Sequence, residues 1–72
     1  MTDVEIFERE IRHAVPTAHS VAVRSFPDDE AYEATVDGVV YRFEAGSDDD
    51  EFVFLSTGRA PITFAIPSDF LD

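Results

Sequence analysis

Asp37-Gly38 constrains this chain more than any other pair of residues. A two-residue hairpin loop of type I′ needs positive φ at both central positions, and Asp followed by Gly supplies it at little steric cost. Side chains alternate on both sides of the pair, Ala31 to Val36 before it and Val39 to Ala45 after it, which reads as two antiparallel strands. The turn then sets the register. Val36 faces Val39, Ala34 faces Tyr41 and Tyr32 faces Phe43 on one side, while Glu33 faces Arg42 on the other. Closing the preceding hairpin symmetrically at Pro27 to Glu30 adds Val21 and Val23 to the apolar side and sets Arg24 across from Glu33. Arg24, Glu33 and Arg42 then form an alternating charge row, so that side is wet and the other is the core.

Before this region the period is helical. Thr2 to Glu5 fits an S/T-x-x-E capping box, in which the threonine hydroxyl accepts from the backbone three residues on. Val4, Phe7, Ile11, Ala14 and Val15 fall within about 100° of arc on a helical wheel, so the pattern predicts an amphipathic helix over about 3–15. Pro16 ends it. Glu5 with Arg9 and Glu8 with Arg12 stand at i,i+4 in the favourable order, each pair adding about 0.2–0.5 kcal/mol. Ile6 lies outside the apolar arc and is expected to be exposed.

Five strands are predicted, about 20–26, 31–36, 39–45, 52–57 and 62–66. The fold class is therefore α+β, an N-terminal amphipathic helix packed on an antiparallel, mostly meander sheet of four to five strands. Setting Phe52 opposite Phe43 and Phe54 opposite Tyr41 extends the core, and Val53 and Leu55 then join Val40 on the outer face. Ile62, Phe64 and Ile66 have two options. A tight return through Gly58 to Pro61 leaves them outside beside Val53 and Leu55, whereas a bulge near Gly58 or Arg59 turns them inward, the favoured arrangement. Either way the fourth strand is apolar on both faces and needs a second cover, supplied by the tail (Phe70, Leu71) or by another copy of the chain. Val40, Val53, Leu55, Ile62, Phe64 and Ile66 are thus the candidate self-association residues, and a homodimer is expected.

Composition narrows the function classes. The chain has 72 residues, enough for one domain, and 16 acidic against 5 basic residues give a formal net charge of −11. A surface of that sign repels duplex nucleic acid and anionic membranes. All five basic residues are Arg, and Lys, Asn and Gln are absent. An acidic, lysine-free composition resembles that of cytosolic proteins from extreme halophiles, where concentrated salt screens carboxylate repulsion. There is no Cys, no apolar run long enough to span a bilayer and no signal-peptide pattern, so a cytoplasmic location is expected.

Few constellations point to chemistry. Asp48, Asp49, Asp50 and Glu51 offer carboxylates to a cation, but the spacing is not that of an EF-hand loop, and the run reads as a solvated acidic loop. His13 and His19 flank the Pro16 turn, too few for a zinc site. The serines lack a nucleophile-elbow setting, and three glycines do not make a phosphate cradle. No enzyme activity, cofactor or metal is expected. Arg59, between Gly58 and Pro61, is the one loop cation placed to receive a carboxylate or phosphate. Three readings result: a non-enzymatic protein-interaction module that self-associates, a small-ligand or anion-binding domain using Arg59, and an acidic mimic or regulator of a basic nucleic-acid-binding protein.

Overall fold

A computed structural model describes residues 2–45 and 50–70. Helix α1 (Asp3–Ala14) is followed by β1 (Val21–Phe26), a 3-10 turn at Pro27–Asp29, β2 (Ala31–Val36), β3 (Val39–Ala45), β4 (Glu51–Leu55), β5 (Ile62–Ala65) and a second 3-10 turn at Ser68–Phe70. The strands form one antiparallel sheet in the order β1-β2-β3-β4-β5, so the α+β meander is the observed architecture.

The helix starts where its cap places it. The Glu5 backbone N–H donates to Thr2 Oγ1 at 3.3 Å, and the acidic Asp3 and Glu5 occupy the positive end of the helix dipole. Arg12 bonds Glu8 one turn back at 3.3 Å, and Arg9 bonds Glu10 at 3.0 Å. Ile6 departs from the sequence reading: it is 2% exposed, and the buried arc runs from Ile6 through Phe7 to Ile11. The cause is the way the sheet meets the helix. The α1 backbone comes closest to β1 and β5, the two edge strands, while aromatic side chains from the strands fill the space beneath. The sheet therefore curls about the helix, embedding more than one stripe of it, and its other face is convex.

Phe7 stands at the middle of that space, fully buried. Its ring lies 4.5 Å from that of Tyr32, 4.9 Å from Phe52, 5.3 Å from Phe54, 5.4 Å from Phe70, 5.6 Å from Phe43 and 6.0 Å from Phe64. These are tilted or edge-on contacts in the range that favours ring pairs beyond the area they bury. Ile11, Val21, Ala34, Val36 and Ile62 complete the core. At the helix N-terminus the Tyr32 hydroxyl donates to Asp3 Oδ2 at 2.8 Å, tying the first turn of α1 to β2.

Register follows the turns. Val36 pairs with Val39, Ala34 with Tyr41, Glu33 with Arg42 and Arg24 with Glu33, as the Asp37-Gly38 turn and the Pro27 hairpin require. Asp37 and Gly38 have φ of 50° and 84°. β3 and β4 correct the expected pairing by two residues: Phe43 faces Phe54 and Ala45 faces Phe52. An even shift keeps every side chain on its expected face. The fourth strand also starts and stops earlier than 52–57, because Ser56 to Arg59 forms a turn, with Arg59 N–H donating to the Ser56 carbonyl at 3.3 Å and Gly58 at φ 76°. After it Ile62 faces Phe54 and Phe64 faces Phe52, so β5 turns its apolar side inward.

Candidate functional site

The feature that distinguishes this molecule chemically is the sheet face turned away from the helix. Period-two alternation places Arg24, Phe26, Glu33, Thr35, Val40, Arg42, Glu44, Val53, Leu55 and Thr63 there, and no described element crosses it. Phe70, one half of the expected lid, packs instead into the helix-side core, its ring 4.8 Å from Phe52; Leu71 lies outside the described residues. Val40 and Leu55 are 49% and 40% exposed, and they are the exposed large hydrophobic residues of the described chain. Val53, one row beyond Leu55 and away from Val40, is half-buried.

The six predicted self-association residues therefore divide. Val40, Val53 and Leu55 share the open face. Ile62 is buried, and Phe64 and Ile66 pack against the core from the helix side, so these three are committed to the fold. What β5 offers outward is backbone. Ile66 N–H donates to the Asp50 carbonyl at 3.0 Å, and by alternation Thr63 and Ala65 direct their amides and carbonyls away from β4. Pro61 and Pro67 flank that short edge, a feature that limits edge pairing and that the strand pattern alone does not bring out.

Charge is distributed unevenly over the molecule. The open face holds two of the five arginines, Arg24 and Arg42, against Glu33, Glu44 and Glu51, and is close to neutral on a chain of net charge −11. Arg24 places its guanidinium 5.2 Å from the centre of the Phe26 ring. Arg42 reaches Glu33 at 3.8 Å with its own side chain 81% exposed, whereas Glu33 is mostly covered. Glu44, two residues from Arg42 on β3, is exposed and makes no ion pair among the described residues.

The remaining candidates are dispersed. Arg59 is exposed, with no ion pair to its guanidinium among the described residues. His13 and His19 are both exposed, and no group of three or more metal-ligating side chains assembles among the described residues. Asp48 and Asp49 of the acidic loop lie outside the described residues. A cleft of about 320 Å³ at one end of the sheet is walled by Phe26, Tyr32, Phe43, Asp29, Glu33, Arg42 and Glu44. It contains carboxylates and rings but no nucleophile beside a base, the pairing that covalent catalysis needs.

No family model, curated protein or solved structure matches the chain. The site must therefore be read from its own geometry. No helix among the described residues is long and apolar enough to cross a membrane.

One functional-looking residue turns out to be architectural. The Asp37 carboxylate accepts the backbone N–H groups of His19 and Ser20, both at 2.8 Å, while Asp37 N–H donates to the Ser20 carbonyl at 3.0 Å. The turn residue thus holds the chain entering β1. Those bonds keep the carboxyl below the usual aspartate range, the Ser20 amide contributing most, against partial loss of hydration and with help from the His19 amide and charge. Sequence reading finds Asp37 as a turn former but misses the latch, because nothing in the spacing shows that the α1–β1 connection passes over the β2–β3 turn.

Proposed function

We propose that this chain is a small non-enzymatic protein-interaction module of a salt-rich cytoplasm, and that it self-associates through the open face of its sheet. The observation that carries this reading is the surface of exposed Val40 and Leu55 with half-buried Val53 on β3 and β4. An antiparallel sheet with one helix layer tolerates a polar second face, and an apolar one asks for a cover. The same face is nearly neutral, so two copies that repel elsewhere can approach there. A second copy satisfies both conditions, since an isologous contact pairs each patch with itself.

The anion-binding reading rests on the exposed Arg59 alone, unpaired among the described residues. The mimic reading calls for a continuous carboxylate stripe, whereas Arg9 and Arg12 interrupt the acids of α1. Self-association is tested by sedimentation equilibrium or light scattering from about 10 µM to about 1 mM in KCl of about 1 M, where the Debye length is about 3 Å. A concentration-dependent mass rising toward the dimer is expected, and Leu55→Asp should return it to the monomer while leaving the circular dichroism of the fold intact. A constant monomer mass throughout removes this reading.

A further inference from the structure

Resting on the self-association reading, we infer the register of the dimer: a two-fold axis running across the strands at the level of Phe43 sets Arg42 of each copy on Glu44 of the other, and Leu55 of each on Val53 of the other. Four outward-facing residues carry the argument. Arg42 and Glu44 are two residues apart on β3, and β4 places Leu55 directly across from Arg42 and Val53 directly across from Glu44. They form a rectangle of about 5 by 7 Å, from strand spacing and rise per residue. One row is cation plus apolar, the other anion plus apolar. A two-fold axis between the rows exchanges them, so each copy presents to its partner the complement of what it receives.

The competing placements are poorer. An axis passing through the Arg42 row stacks like on like, Arg42 on Arg42 and Glu33 on Glu33, an arrangement that like-charge repulsion disfavours. An axis parallel to the strands between β2 and β3 sets Arg42 on Glu33, but Glu33 is mostly covered and already engaged by its own Arg42. That arrangement also leaves the exposed Glu44 without a counter-charge. The convex shape of the face favours the same centre. Two curled sheets meet along their crest, and sheets packing face to face cross at about 30°, so only residues near the axis stay in register. The middle strand is β3.

The experiment uses four variants of the chain, R42E, E44R, E33R and the double variant R42E/E44R, all on the open face of the sheet and each checked for native circular dichroism. At about 1 M KCl whole-molecule repulsion is suppressed while pairs in direct contact still act. R42E alone and E44R alone should each weaken self-association at least tenfold. An equimolar mixture of the two should recover dimer mass as a heterodimer. In it the carboxylate introduced at position 42 of one chain meets the guanidinium introduced at position 44 of the other, and the native Arg42 and Glu44 that remain meet each other. The double variant R42E/E44R, which exchanges the charges within one chain, should recover a homodimer. If the parent chain dimerises but neither the mixture nor the double variant recovers, the register is overturned while self-association stands. Recovery by R42E with E33R in place of E44R overturns it in favour of the axis parallel to the strands. A parent chain that stays monomeric to about 1 mM removes the underlying reading itself.

Discussion

Gly38 and Asp37 divide the work of one turn. With φ at 84° and open space around its α-carbon, Gly38 is constrained by conformation and not by crowding. Gly38→Val should therefore cost at least about 1 kcal/mol through the left-handed penalty, read as a lower urea midpoint at unchanged m-value; a neutral result would remove the turn assignment. Asp37 acts through charge. Its carboxyl titrates below the usual value of about 3.9 in the folded state, so its contribution is fully present above that pH and lost as pH falls through the depressed folded value. Asp37→Asn should flatten the acid limb of stability against pH relative to the parent. Equal acid slopes would show that the latch to His19 and Ser20 is not electrostatic. Tyr32 behaves in the opposite sense. Burial first, then donation to Asp3 and the nearby charge, raise its hydroxyl above the ordinary value. Its contribution is present below about pH 10 and disappears as pH rises through the folded value, a loss that Tyr32→Phe should abolish.

Among the elements, the helix and the aromatic layer depend on one residue. Phe7 touches rings from β2, β3, β4, β5 and the C-terminal 3-10 turn, and Phe7→Ala should destabilise the chain by about 3–5 kcal/mol. Phe7→Leu, which keeps most of the volume, should cost far less, and similar losses for both would deny Phe7 its central place. Elements of this kind are readable from the chain because each has a local cause: the Thr2 cap, Pro16, and the Asp37-Gly38 turn with its even spacing. What the chain conceals has distant causes. The β3–β4 pairing differs by two residues from expectation because parity, not turn chemistry, is all that alternation offers there. Ile6 looks solvent-facing because a wheel drawn on one helix cannot show a sheet curling around it. The open face is legible as a greasy second side of β4, but the share of it taken up by β5 depends on the turn at Ser56 to Arg59.

For the molecule as a whole, charge sets the conditions of folding. With 16 carboxylates on a chain of 72 residues, screening should stabilise the native state, since the Debye length falls from about 10 Å at 0.1 M to about 3 Å at 1 M. Melting temperatures in KCl of about 0.1 M and about 3 M at fixed pH should differ by several degrees in favour of the higher salt, and an unchanged midpoint would count against the salt-adapted reading. The arrangement of the helix has a consequence for synthesis. α1 leaves the ribosome before the strands it packs on, yet it lies against both β1 and β5, and β5 is the last of these five strands to be made. Each meander hairpin can zip up as it emerges, because neighbours in sequence are neighbours in the sheet. The helix can dock on β1 and β2 early, but the packing around Phe7 is complete only when Phe64 and Phe70 arrive. A net charge of −11 disfavours association of chains whose core is still incomplete.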